Sequence, residues 1–531
     1  MKHHKSRYTE LVLFYGSIVL SSFYIICSPY NPSLDGPTHI YNAQLINYLL
    51  SGNHFLAQYF CLNKIPVPNL LDHALLSALN VIFPVLVSQK ILLLFCTVGL
   101  ALGFRKLIKL YTPSNIGLSA FAIPLAHSFL YYLGFYNFCL SIVFMLWAIY
   151  YYAKHFSRLQ VPYKAKNIII LSILILCNYF ASALSFMFVG MLFLLHEIWL
   201  IGPIVRSGQF KQNKSTIKKR LLFFTSLWIP GIICLIIFLL NVSFYGQNTS
   251  VRPLAELLSW IYNARTFEVF GDFELIFTRG VFWVLLFVFS GVIWLTVKEK
   301  GYLPYNKQHI FLVAALFSLI CLFIVPDNFS VGMMNTRLCF YFFLFFMLWL
   351  ALQQNLPIIK WGAAITVYIL YWMLFFTWHH KTLDGFDLRI KEMVEASDKY
   401  IEPNTVVLPI DCTNNWIMLH MADYIAIHKP MVNIMDYEPR EKWFPIAYNR
   451  LKMPYLLLGD QNTANQIMGF VNYPAKEKKQ IDYIFLFGNF NPADLNNSDF
   501  GYLKTNLQNG YSLIFTSEDK WIHIYRYNIN I

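Results

Sequence analysis

Apolar runs close to the length of a membrane-crossing helix recur eleven times, at roughly 11–28, 88–105, 116–133, 138–153, 167–184, 186–204, 221–241, 280–297, 308–325, 337–354 and 357–377. A spanning helix needs about 20 mainly apolar residues. Inside lipid every backbone N–H and C=O must be satisfied within the chain, so such runs are read as helices. The chain is 57% hydrophobic and only 13% charged, against roughly 25% charged in soluble domains. That balance excludes an ordinary soluble globule and a disordered chain alike.

Charge gives the orientation. With the N-terminus inside, the inside segments (1–10, 105–109, 154–166, 206–220, 298–307 and 353–360) hold 20 Lys and Arg, and the outside loops (29–87, 134–137, 242–279 and 326–337) hold 5. Lys and Arg collect on the cytoplasmic side of membrane proteins. The net charge of +13 therefore reads as a topology signal, and a nucleic-acid partner is not expected. The basic N-terminus followed by Leu11–Cys27 reads as an uncleaved first span. Nine cysteines without a CxxC or Cys/His cluster support neither a disulfide framework nor a cysteine zinc site. Glu197, polar within an apolar run, is expected to snorkel or to pair with Arg206.

Residues 378–531 differ in composition, with 15 Lys and Arg, 18 Asp and Glu and no run long enough to span. The stretches 405–410, 482–488, 511–517 and 521–527 read as short strands, the last two joined by a hairpin at "TSEDK". Helical patterns cover 386–401 and 415–427. The predicted fold class is thus a polytopic α-helical membrane protein of about 11 transmembrane helices over 1–377, with a small extracytoplasmic α/β domain at 378–531. Two large outside loops, 29–87 and 242–279, belong to the membrane part.

The first loop carries the chemistry. Pro37 suits a first helical turn, so Thr38–Leu50 is expected to be helical. His39 then leans back toward Asp35, and Asn42 lies one turn beyond. Two readings of Asp35 stand. A carboxylate before Gly-Pro suits an N-cap; a partly desolvated carboxylate beside a histidine also suits a general base, or a divalent cation held by Asp35 and His39. A second helix over Asn69–Val81 opens with Asp72 and His73, residue types that a first turn favours, and is expected to lie on the membrane surface. Among outside cations, Arg337 and Arg265 suit a phosphate, since a guanidinium offers a planar fork of donors. His127, near the outside end of its span, is a candidate for lining a substrate cavity.

The motif "LDGPTHIYNAQLI" (34–46) in a long loop after an N-inside first span resembles the GT-C class of integral-membrane glycosyltransferases, which includes protein mannosyltransferases and the lipid A aminoarabinose transferase. The fragments "YYLGFYNFCLSIVF" (131–144), "NYFASALSF" (178–186) and "NTRLCFYFFLF" (335–345) are similar to bacterial members of unassigned substrate. The resemblance implies a polyprenyl-phosphate-linked sugar donor, a lipid, glycan or protein acceptor, and a place in the bacterial cytoplasmic (inner) membrane with the C-terminal domain outside. It also implies, for the first-loop acid, a role as general base or metal holder, which falls on Asp35. The class often has a second acid beside the first; here the neighbours are Leu34 and Gly36. Readings from other classes are a transporter or flippase of lipid-linked glycans and a non-catalytic membrane scaffold subunit.

Overall fold

The structure is a computed structural model. It describes the chain except residues 1, 160–162, 243–249, 301–305, 330–331, 355–356, 455, 457, 461, 474, 490–502, 504, 506, 508–509 and 529–531. Parts of the connections read at 154–166, 242–279, 298–307 and 326–337 therefore lie outside the described residues.

Eight described helices are long and apolar enough to cross a membrane: Glu10–Cys27, Val85–Tyr111, Tyr136–His155, Ala183–Arg206, Phe210–Asn241, Asp272–Lys298, Met334–Leu352 and Ile359–Tyr400. Two shorter apolar helices, Ala165–Ala181 and His309–Ile324, fall on two further expected runs. Large apolar side chains such as Val12, Leu240 and Ile276 stand exposed on these helices. Surface of that kind is stable against lipid and not against water. The chain is a polytopic helical membrane protein.

The run expected at 116–133 is not one helix. It is a 3₁₀ segment, Pro113–Phe121, then two short helices, Ala122–Ala126 and Phe129–Tyr132. Composition counted the apolar residues but not the breaks: His127 and Ser128 leave helical geometry between the short helices. Gly117 lets Trp361 approach so closely that a Cβ would lie 1.9 Å from its ring. Residues 121–134 are buried, and irregular backbone at membrane depth is tolerated where protein covers it.

The chain divides into two compact units, one of Met1–Cys27 with Leu93–Thr382 and the other of Ser28–Leu92 with Leu383–Ile531. The first is helical. In it Glu197 pairs with Arg220, not with Arg206 as expected, at 2.5 Å from Nε.

The described residues of the second unit hold seven strands: β1 (Phe60–Leu62), β2 (Thr405–Asp411), β3 (Met431–Asn433), β4 (Ile446–Tyr448), β5 (Tyr483–Phe487), β6 (Tyr511–Thr516) and β7 (Ile522–Tyr527). Five form a sheet in the order β3-β2-β5-β7-β6. β3, β2 and β5 run parallel, while β7 and β6 form the expected antiparallel hairpin. β2 and β5 are buried at every position, as parallel strands covered on both faces are. β1 of the first loop pairs antiparallel with β4. The pattern read as helix at 415–427 forms two 3₁₀ segments, Trp416–Met418 and Met421–Ala426. All nine cysteines are free thiols.

Side chains bind the first loop into this unit. Ser28 Oγ and the Tyr30 N–H donate to the Asp387 carboxylate at 2.6 and 2.9 Å. Tyr41 Oη donates to the Met431 carbonyl at 2.8 Å, and Tyr424 Oη to the Tyr30 carbonyl at 2.7 Å. Each is a buried hydrogen bond; the two between neutral groups are of the kind worth about 1 kcal/mol net, and those to a carboxylate about 1.5–3 kcal/mol.

Candidate functional site

The helix Gly36–Leu50 begins with Asp35 at its N-cap and Pro37 in its first turn. Asp35 makes no side-chain capping bond. Its carboxylate lies 3.4 Å from His420 Nε2 and accepts from the Tyr437 hydroxyl. The capping reading therefore does not account for this residue. Asp35 is 8% exposed, so it acts in a setting of low dielectric.

His39 sits one turn further on and Asn42 two, and both are buried. His39 Nδ1 lies 2.9 Å from Asp72 Oδ2, 3.2 Å from Glu438 Oε1 and 3.4 Å from His73 Nε2. Asn42 Nδ2 donates to Glu438 Oε2 at 2.7 Å and to Asp436 Oδ1 at 3.3 Å. The second helix, Leu71–Asn80, is not a surface helix at its start. Asp72 and His73 are wholly buried. Asp72 Oδ1 takes the His73 backbone N–H at 2.6 Å and its Nδ1 at 2.7 Å, and His73 Nε2 faces Glu438 Oε2 at 2.7 Å. Ligand atoms of His39, Asp72 and His73 all lie within 4.8 Å of one another.

Glu438 and Asp436 follow β3, at the carboxyl end of a parallel strand, where open α/β sheets place their sites. Gly459 holds this turn close. It sits at φ +67°, and a Cβ there would lie 2.7 Å from Tyr437 Cα. Only glycine combines that backbone with that approach at no steric cost.

The electrostatics divide the histidines. Burial lowers the proton affinity of His39 and His73, but the charges of Asp72 and Glu438 outweigh it and leave both raised. For His420 burial prevails, although the Asp35 carboxylate lies 3.4 Å from its Nε2. Burial, then repulsion from His39, pushes it down to about 3, so it is a neutral imidazole beside Asp35. Burial raises Asp423 to about 7 despite hydrogen bonds from Thr38 and Asn433, and burial with the charges of Asp423 and Glu438 raises Asp436 well above the carboxylate range.

The structure thus brings together Asp35, His39 and Asn42 of the expected set. It adds Asp72 and His73, which sequence reading gave to a helix start, and Asp423, Asp436, Glu438, Tyr437 and His420, which it missed. The available signal was "MVNIMDYE" (431–438), a β-branched run followed at once by two carboxylates. The other expected residues lie in the helical unit. His127 packs its ring against Tyr131 and Tyr371, with centroids 5.1 and 6.0 Å away. Arg265 lies over Phe129 at 4.1 Å and donates to the Glu268 carbonyl at 2.8 Å. Arg337, in the first turn of Met334–Leu352, lies over Phe135 at 4.6 Å and Phe138 at 5.6 Å. Such stacking uses the π face of a guanidinium.

No protein-family model matches the sequence, and no curated protein does. Solved structures do. The archaeal oligosaccharyltransferase AglB from Archaeoglobus fulgidus, in complex with an inhibitory peptide and a dolichol-phosphate, matches at TM-score 0.46 and 11% identity, over 99% of this chain and 75% of that one. ArnT from Cupriavidus metallidurans in the apo state matches at TM-score 0.49 and 8% identity, over 98% of both chains. Similarity at this level assigns no activity.

Proposed function

We propose that this chain is a membrane glycosyltransferase that moves a sugar from a polyprenyl-phosphate-linked donor to a hydroxyl of a lipid, glycan or protein acceptor, on the outer face of a bacterial cytoplasmic membrane. The observation that carries the reading is the Asp35 carboxylate, buried and turned from its helix N-terminus toward His420 and Tyr437. A cap residue would have kept it on the backbone. In this reading Asp35 takes the acceptor hydroxyl's proton as the new glycosidic C–O bond forms. The bond from the sugar carbon to the phosphate oxygen breaks, and its electron pair leaves with the phosphate. Neutral His420 and the Tyr437 hydroxyl orient Asp35, and Asn42 with His39 fixes the surrounding carboxylates.

In the helical unit, Arg337 and Arg265 are proposed to bind the donor's phosphate, and His127 to line the space for its sugar. Preorganised cations favour the charge that develops on a leaving phosphate. The motif at 34–46 supports this reading, because in the class it resembles a first-loop acid has the base role.

The test is turnover of a polyprenyl-phosphate sugar by purified full-length protein. Asp35→Asn is expected to lower turnover by about 10²–10⁴-fold, the usual yield of a general base, with donor binding unchanged. Arg337→Ala is expected to weaken donor binding. Transfer by Asp35→Asn at the parent rate would end the base assignment.

A further inference from the structure

The geometry points to a metal site: we propose that His39 Nδ1, His73 Nε2, Asp72 Oδ2 and a Glu438 carboxylate oxygen bind one divalent cation of the zinc class, which clasps both first-loop helices to the turn after β3. The proposal goes beyond the transferase reading and stands without it, since it does not involve Asp35.

The first argument is spacing. Four ligands at about 2.0–2.1 Å around a tetrahedral zinc lie about 3.3 Å from one another. His39 Nδ1 lies 2.9 Å from Asp72 Oδ2, 3.2 Å from Glu438 Oε1 and 3.4 Å from His73 Nε2, and His73 Nε2 lies 2.7 Å from Glu438 Oε2. The ligand atoms that converge within 4.8 Å of one another are those of His39, Asp72 and His73, and Glu438 stands beside them with one oxygen toward His39 and the other toward His73, so the four side chains enclose one point for such an ion.

The second argument counts protons. A ring nitrogen carries at most one hydrogen, yet His39 Nδ1 faces three potential partners within 3.4 Å. One N–H serves one of them well. A lone pair directed at a shared cation makes use of the whole arrangement. Glu438 Oε1, buried, has no hydrogen bond, which the same cation would satisfy.

The third argument is charge. Two buried carboxylates leave two negative charges in low dielectric, where an uncompensated charge is strongly unfavourable. Protonating both imidazoles would balance them, but would set two positive rings against each other with nitrogens 3.4 Å apart. One divalent ion supplies the same charge without that repulsion.

The surroundings match how proteins orient metal ligands. His73 Nδ1 lies 2.7 Å from Asp72 Oδ1, and its Nε2 faces His39 and Glu438. Asn42 Nδ2 holds Glu438 Oε2 at 2.7 Å. The Phe444 ring lies 6.4 Å from that of His39 and 6.0 Å from that of His73, placing an apolar group over the cluster. Two imidazoles among four ligands favour zinc over magnesium or calcium, which take mostly oxygen ligands in larger number.

The test uses the full chain in detergent. After loading with Zn²⁺ and exhaustive dialysis, elemental analysis is expected to find close to one zinc per chain. Stripping with a chelator is expected to lower the melting temperature, and Zn²⁺ but not Mg²⁺ to restore it. Glu438→Gln and His73→Ala are each expected to weaken zinc binding at least tenfold, and Asp35→Asn to bind it as the parent does. Co²⁺ bound to the parent is expected to show the visible absorption of a four-coordinate site, a readout that needs no variant. Parent protein that retains no zinc and melts alike with and without chelator would overturn the site. So would Glu438→Gln at parent affinity. Equal rescue by Mg²⁺ would overturn the zinc-class assignment. Loss of sugar transfer in Asp35→Asn with zinc retained would separate the two proposals.

Discussion

Two buried ionic clusters, one in each unit, have opposite economies of hydrogen. In the helical unit Arg220 donates from Nε and both terminal nitrogens to Glu197, the Arg158 and Phe156 carbonyls, Tyr152 and Tyr163. The cation's donors all have acceptors, and Tyr152 adds its own hydroxyl to Glu197. In the other unit His39, Asp72, His73 and Glu438 bring two carboxylates and two imidazoles around one point. There acceptors outnumber the hydrogens that can reach them. A saturated cluster is complete as a structural joint, tying the segment after Tyr136–His155 to two neighbouring helices. An acceptor-rich one has room for a further positive centre. Burial alone does not distinguish them; the balance of donors to acceptors does.

The strongest way to break this comparison is to remove half of the saturated pair. Glu197→Ala leaves Arg220 buried without its carboxylate, and losing one partner of a buried pair costs about 3–5 kcal/mol. Thermal unfolding in detergent is expected to show the loss, and a chelator to change it no differently from the parent. A loss under about 1 kcal/mol would mean that water reaches Arg220 and that the joint is not closed.

The two clusters were unequally legible in the sequence. The helices were readable because 20-residue apolar runs report on lipid directly, and β2, β5, β6 and β7 because β-branched and aromatic runs between turns are strong signals. The break at 127–128 was not, because a buried polar turn inside an apolar run does not change its composition. Asp35, His39 and Asn42 were found from local spacing on one helix. Glu438 lies about 400 positions away, and no periodicity encodes a contact made through β1–β4 pairing and the β3 turn. Arg206 is the cation nearest to Glu197 along this helix, whereas Arg220 reaches it from the next one.

A smaller effect separates acceptor excess from burial itself. Asp423 accepts from Thr38 Oγ1 at 2.6 Å and Asn433 Nδ2 at 2.5 Å, yet burial still raises it to about 7. Its folded value lies above the unfolded one near 3.8. The folded state therefore binds the extra proton between about pH 4 and 7, and stability is expected to fall as pH rises through that window, then to level off. One proton sets a limiting slope of about 1.4 kcal/mol per pH unit. Asp423→Asn presents a neutral amide that still accepts from Asn433, while the Thr38 hydroxyl turns to accept from it. In chelator-stripped protein this variant is expected to flatten the decline. An unchanged slope would place the proton on Asp436 instead.

The smallest effect belongs to a pair with charges but no burial. Lys391 Nζ and Glu395 Oε1 are 3.7 Å apart on one helix, with side chains 57% and 66% exposed. Water screens both charges, and holding two long side chains together costs rotamer freedom. Such i,i+4 pairs contribute about 0.3–0.5 kcal/mol. Lys391→Ala is expected to move the melting temperature by no more than about a degree and to leave metal binding alone. A larger shift would show that charge by itself stabilises this unit, and the contrast between the two buried clusters would then owe less to how their hydrogens are matched than to net charge.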